Sequence, residues 1–157
     1  MKKRNFLITV LSFLLITSCG FKIIDQSKLK NFKIQNIIVT GEKRINYKLK
    51  NKLLSKSNKT SNRSIVIELA TSKVKNVNEK NIKNEITKYQ LEIAVSIKYY
   101  EVNNKIPNTF NVVESGNYLV SKKYSQTLNN KNKIIEILTE RIANNIVNSL
   151  MQKFNDL

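Results

Sequence analysis

"EITKYQLEIAVSIKYY", Glu85 to Tyr100, repeats with a period of two. Tyr89, Leu91, Ile93, Val95, Ile97 and Tyr99 fall on one side, and Lys88, Gln90, Glu92, Ala94, Ser96, Lys98 and Tyr100 on the other. Successive side chains of a strand point to opposite faces, so this stretch predicts a strand with one face in a core and the other polar or small. Upstream, Ser64 to Lys75 reads the same way, with Ile65, Ile67 and Leu69 inward and Val66, Glu68 and Ala70 outward. Downstream, "NNKIPN" (Asn103 to Asn108) reads as a turn. Phe110 to Tyr118 reads as a further strand carrying Val112 and Val113, irregular at Gly116. Three consecutive strands joined in this way are compatible with an antiparallel meander.

Two helices and one more strand flank the meander. "FKIQNIIV", residues 32 to 39, predicts a first strand through Ile34, Ile37 and Val39, stopped by Thr40-Gly41. Ile45, Leu49 and Leu53 recur every four residues with Leu54 beside them, the stripe of a helix over 45 to 56 that ends in "SKSNKTSNRS". After Asn129 and Asn130, which offer N-caps, Ile135, Leu138, Ile142, Ile146 and Leu150 mark the buried stripe of a long final helix. Ile134, Ile137, Val147, Met151 and Phe154 widen that stripe, and Glu136, Glu140, Asn144 and Asn148 form its wet side. The order β-α-β-β-β-α predicts an α+β sandwich, with two helices packed on one face of a four-stranded mixed sheet. A chain of 157 residues fits one such domain, residues 32 to 157, with no internal repeat.

The N-terminus reads as a leader. Met1 to Arg4 are basic, Phe6 to Leu15 are apolar, and Ile16, Thr17 and Ser18 precede Cys19, the only cysteine. About ten apolar residues cannot cross a bilayer core, which needs ~20. Residues 1 to 18 are therefore expected to be cleaved. Ile-Thr-Ser-Cys resembles a bacterial lipobox, which makes Cys19 the acylated first residue of the mature protein. One acyl chain binds a membrane only marginally, at ~0.8 kcal/mol per buried methylene, whereas two or three hold a protein firmly. Residues 19 to 31 then form a lipid-anchored tether. Gly20 follows the cysteine where an aspartate would resemble an inner-membrane retention signal, so the expected site is the periplasmic side of the outer membrane.

Composition narrows the function. The formal charge is +17, with 28 basic and 11 acidic residues, but 24 of the basic residues are lysine and Lys, Asn and Ile make up roughly two fifths of the chain. AT-rich coding gives that composition, so only unusually placed lysines count as signals. In an exported protein the relevant anions are lipid phosphates and acidic surfaces, and nucleic acid is not an expected partner. With no histidine and its single cysteine acylated, the chain has neither the usual proton shuttle nor a thiol nucleophile. Its three glycines are far apart and form no nucleotide loop. No enzymatic activity, metal or cofactor is expected.

In a meander, the connection between the second and third strands and the segment leaving the fourth share one end of the sheet. The first holds Lys73, Lys75, Lys80, Lys83 and Lys88, and the second holds Lys122, Lys123, Lys131 and Lys133. Lys131 and Lys133 fall in the expected first turn of the final helix, where the dipole favours acids and lysine costs a few tenths of a kcal/mol. Helix N-H groups beside lysines bind phosphate well. The candidate phosphate contacts are therefore Lys80, Lys83, Lys131 and Lys133. The polar face of the third strand suits solvent or the polar lumen of an outer-membrane barrel.

Cys19-Gly20-Phe21, a short tether, β-α-β-β-β with "EITKYQLEIAVSIKY", and a helix from about Asn130 to Lys153 together resemble LptE, the lipopolysaccharide-assembly lipoprotein family of Gram-negative outer membranes. The resemblance spans the mature chain and rests on order and spacing. This chain lacks the Pro and Arg often found after Cys-Gly-aromatic in the family. The resemblance implies a non-enzymatic lipoprotein that plugs an LptD-like β-barrel, helps it assemble and contacts lipopolysaccharide, with acylated Cys19 in the inner leaflet of the outer membrane. The alternative is an outer-membrane scaffold or transport-accessory lipoprotein that binds an envelope protein complex without binding lipopolysaccharide.

Overall fold

The alternation at residues 85–100 does place a strand at the centre of the molecule. In the computed structural model, which describes residues 32–155, the elements run β1 (Lys33–Gly41), α1 (Lys43–Lys56), β2 (Ser64–Lys80), β3 (Ile86–Glu101), β4 (Asn104–Leu119) and α2 (Tyr124–Asn155). One sheet has the order β1-β2-β3-β4, with β1 parallel to β2 and the other two pairs antiparallel. A parallel pair needs a crossover, and α1 supplies it. Helix α1 packs over β1 and β2 and α2 over β3 and β4, giving the two-layer α+β fold expected from the sequence.

The core lies between these layers. Pairing of Leu69 with Ile97 and of Ile97 with Phe110 aligns the inward rows of β2, β3 and β4. Leu91, Ile93, Val95 and Ile97 are buried together with Ile65, Ile67 and Leu69. A register shift between Ile34 and Asn36 is a bulge that turns both Ile34 and Ile37 inward although they are three residues apart. From the helices come Ile45, Leu49 and Leu53, and Ile135, Leu138, Ile142, Ile146 and Leu150, all buried. Each such side chain contributes about 1.5–3 kcal/mol by leaving water. Ile137 and Leu54 instead sit exposed at the outer rim of their helices.

Several boundaries differ from the sequence reading. Strands β2 and β3 run further than the hydrophobic alternation does, because they pair with each other out to Lys80 and Ile86. The segment Asn103 to Asn108 is not a turn: the chain reverses at Val102-Asn103, and β4 begins at Asn104. Pro107 is tolerated there because β4 is an edge strand and the register slips opposite Tyr100, between Tyr99 and Glu101. Gly116 pairs regularly with Leu91. It lies under α2, where a Cβ would sit 3.4 Å from Leu138 Cδ2.

Helix α2 begins at Tyr124, not after Asn129-Asn130. Asn130 does not cap it; its amide donates to the Leu119 carbonyl at 3.0 Å. Thr127 Oγ1 accepts from the Ser121 N-H at 2.8 Å and ties the end of β4 to the first turn of the helix. Lys131 and Lys133 are therefore well inside α2, away from its free N-H groups.

The helices are joined by a polar ladder with a constant offset. Arg44 meets Asn132, Lys48 meets Glu136, Lys52 meets Glu140 and Lys56 meets Asn144, each 88 residues apart in the chain. A constant offset requires the helices to run in the same direction. The wet side of α2 thus faces the lysines of α1 and not only solvent.

Candidate functional site

Coverage by the helix layer stops before the strands do. Strand β1 ends where Gly41 pairs with Thr71, while β2 continues to Lys80. Helix α1 begins at Lys43, and its Arg44 is level with Asn132 of α2. Residues 124–130 of α2 therefore overhang α1. Beneath that overhang lies an open groove of about 430 Å³. Its floor is Lys75 of β2, Tyr89 of β3 and Tyr118 of β4, and its helical wall includes Leu128 and Lys131. Lys122 closes the end near the start of the helix.

The floor is aromatic and cationic together. Lys75 Nζ stands 4.4 Å from the centre of the Tyr89 ring, and the Tyr89 and Tyr118 rings are 5.6 Å apart and tilted by 30°. Burial pushes the Tyr118 hydroxyl pKa up, with a smaller contribution from Tyr89. Among the described residues no carboxylate lines this groove. Among the described residues, Lys75, Lys122 and Lys131 are in none of the ion pairs, whereas Lys73 is paired with Glu42 and Lys88 with Glu79. The Lys88 ammonium, by hydrogen bond and charge, holds the Glu79 carboxyl below its ordinary value.

The four lysines singled out in the sequence do not form one cluster. Lys80 and Lys83 are at the exposed β2–β3 tip, where Lys80 Nζ donates to Asn84 Oδ1 at 2.9 Å. Asn81 organises the tip by accepting from the Lys83 and Glu85 N-H groups, and Asn84 takes a φ of 62°. Lys131 lines the groove. Lys133 is two residues further along the helix, about 200° around its axis, and is exposed. Of the lysines assigned to connecting segments, Lys73, Lys75, Lys80 and Lys88 are on strands. Lys75 and Lys122 went unselected because the groove they share forms only when β2, β4 and α2 come together. Cys19 lies outside the described residues.

The sheet face turned away from the helices carries no secondary-structure element among the described residues. Its exposed row includes Ala70, Ser72, Ser96, Asn111, Ser115 and Asn117, with Ile38, Val74, Val113 and Leu119 between them. Lys88 and Lys98 on this side are paired with Glu79 and Glu68. In a chain of net charge +17 this face is close to neutral.

The fold and site define a class: a two-layer α+β domain with a basic end and a near-neutral sheet face that no element covers among the described residues. The same fold occurs in lipoprotein B from Nitrosomonas europaea, at a TM-score of 0.53 and 14% identity over 84% of this chain and 88% of that one. It also occurs in a Caulobacter crescentus protein assigned to the lipoproteins, at 0.51 and 16% over 74% and 88%. Rare lipoprotein B from Shewanella oneidensis gives a TM-score of 0.48 and 14% identity over 77% and 94%. No protein-family model matches the sequence, and no curated protein does. Among the described residues no helix is long and apolar enough to cross a membrane, and no cluster of His, Cys, Asp and Glu could hold a metal ion.

Proposed function

We propose that this chain is a lipid-anchored, non-enzymatic outer-membrane lipoprotein of the LptE kind, which plugs an LptD-like β-barrel, helps it assemble and contacts lipopolysaccharide. The carrying observation is the sheet face. Among the described residues no element covers one side of the long four-stranded sheet, and that side is nearly free of net charge although lysine is abundant elsewhere. Small and uncharged polar side chains there suit the polar wall of a barrel lumen, where an unpaired lysine would have to be desolvated. The shared fold with solved lipoproteins and the expected leader, residues 1 to 18, immediately before Cys19 support the same reading.

Purification of the tagged protein from detergent-solubilised outer membranes tests the partner. A large barrel recovered near one-to-one is the expected outcome. Its absence under conditions that preserve other barrel complexes favours a scaffold or transport-accessory lipoprotein. Labelling with radioactive palmitate tests the anchor: the native protein takes up label and Cys19→Ser does not. For the lipopolysaccharide contact, replacing Lys80, Lys83, Lys131 and Lys133 together by Gln is expected to weaken binding and flatten its salt dependence. Unchanged binding would remove the assignment of those four residues.

A further inference from the structure

We propose that the outer edge of β4 is a self-association surface, on which a second copy of this chain pairs its own β4 antiparallel about a two-fold axis at Val113. The direction of the backbone groups on β4 is fixed by its pairing with β3. The Val120 N-H donates to the Thr87 carbonyl at 2.9 Å, and the register is regular from Lys88–Leu119 to Tyr99–Asn108. Even-numbered residues of β4 therefore bond to β3, and odd-numbered residues turn their N-H and C=O groups to the other side. The sheet order puts no strand there. Among the described residues, Thr109, Asn111, Val113, Ser115 and Asn117 thus present a free row of backbone donors and acceptors.

Such a row is a template for another strand, and native sheets blunt it with lysine or a bulge. The other free edges here are blunted. Strand β1 is short and bulged between Ile34 and Asn36, and β2 beyond Thr71 carries Lys73, Lys75 and Lys80 with register shifts after Val77. The β4 edge has neither device along its middle. In a chain with 24 lysines and a net charge of +17, residues 106 to 121 contain no lysine and no arginine. Their one charged side chain, Glu114, is at an even position and accepts from Asn145 Nδ2 of α2 at 2.7 Å.

The two ends of the row point to a second copy as the occupant. Pro107 and Leu119 both belong to the outward row. Pro107 has no N-H to donate, and the Leu119 carbonyl already accepts from Asn130 Nδ2 at 3.0 Å. When two β4 strands pair about Val113, Pro107 of one copy lies opposite Leu119 of the other, so the missing donor meets the carbonyl that needs none. Between those limits Thr109 pairs with Asn117, Asn111 with Ser115 and Val113 with its own counterpart. Glu114 stands opposite Val112, so no two charges face each other directly. The side chains of Val113 and Leu119, 56% and 58% exposed in the single chain, gain apolar cross-strand neighbours in Val113 and Pro107 of the second copy. The product is a continuous eight-stranded sheet. It concerns chains with no barrel bound and does not rest on the barrel reading.

Sedimentation velocity of the full chain, purified in detergent free of other proteins, tests the pairing over a range of concentrations. A concentration-dependent dimer is expected. Val113→Pro removes the central donor without touching the bonds to β3, and Val113→Lys adds the charge that guards the other edges. Each should weaken dimerisation at least ten-fold, whereas Val74→Lys, at an exposed position on β2 away from this edge, should leave it unchanged. All of these chains carry the same anchor, which controls for two chains sharing one micelle. Circular dichroism checks the fold, and Val113→Lys carries the test if the proline variant does not fold. Register is read with a short bismaleimide, which should join Asn111→Cys chains to Ser115→Cys chains in a mixture more than it joins like chains. Chains that stay monomeric, a dimer that survives both Val113 variants, or cross-linking mainly between like chains would each overturn the β4 dimer. Recovery of a barrel in the separate purification neither follows from these results nor decides them.

Discussion

At the scale of residues, the junction between β1 and α1 depends on three positions. Thr71 Oγ1 accepts from the Glu42 N-H at 2.9 Å and donates to Asn46 Oδ1 at 2.9 Å, while Asn46 Nδ2 donates to the Thr40 carbonyl at 2.9 Å. Both side chains are buried, so Thr71→Val would leave Asn46 Oδ1 without its donor in the core and the Glu42 N-H with only its 3.4 Å bond to the residue 71 carbonyl. The expected cost is about 1–3 kcal/mol in urea unfolding. A loss within error would mean that water replaces the hydroxyl. Gly41 next to this network has a φ of 92°, and a Cβ there would fall 1.9 Å from the Thr71 carbonyl oxygen. Gly41→Ala is expected to destabilise by roughly 2–4 kcal/mol, whereas Gly116→Ala, whose nearest neighbour is a movable leucine methyl, should cost under about 1 kcal/mol. The sequence marked Gly41 as a strand stop, but nothing in its spacing pairs Asn46 with Thr71, which are 25 residues apart.

At the scale of elements, the helix pair is held by two unequal contributions. The Lys48–Glu136 and Lys52–Glu140 pairs are half-exposed, so water screens them and each should contribute no more than about 1 kcal/mol. A double-mutant cycle on Lys52 and Glu140 should give a coupling that shrinks in 1 M salt. By contrast, Leu53 and Ile142 are wholly buried, and Leu53→Ala is expected to cost about 2–5 kcal/mol with little salt dependence. A cost for Leu53→Ala no larger than the ion-pair coupling would contradict this ranking. The buried stripes of both helices were legible in the sequence because a 3.6-residue period survives any change of ends. The start of α2 was not. Asn129 and Asn130 are good caps in isolation, but the bond from Thr127 to Ser121 fixes the helix start one turn or more earlier, by tying it to β4.

At the scale of the whole molecule, buried tyrosines make stability depend on alkaline pH. Burial raises the pKa of Tyr99 and Tyr118. A raised folded-state pKa means that the folded chain keeps a proton which the unfolded chain has lost. This stability is fully present below the ordinary tyrosine pKa of about 10 and is lost as pH rises through the higher folded-state values. Urea unfolding should therefore show a free energy that falls as the pH rises above about 10, with a shallower fall in the double Tyr99→Phe, Tyr118→Phe variant; equal slopes would remove these two groups as the cause. The sequence by itself determined most of the core and the number and kind of elements, because periodicity is a local property; Val39, Leu54 and Ile137, also expected in the buried stripes, are exposed. Only the tertiary structure decided that β2 and β3 outrun α1, that Lys131 lies beside Lys75 and Lys122, and that Lys133 faces elsewhere. Those relations depend on where elements distant in the chain stop against one another, and packing between layers sets that.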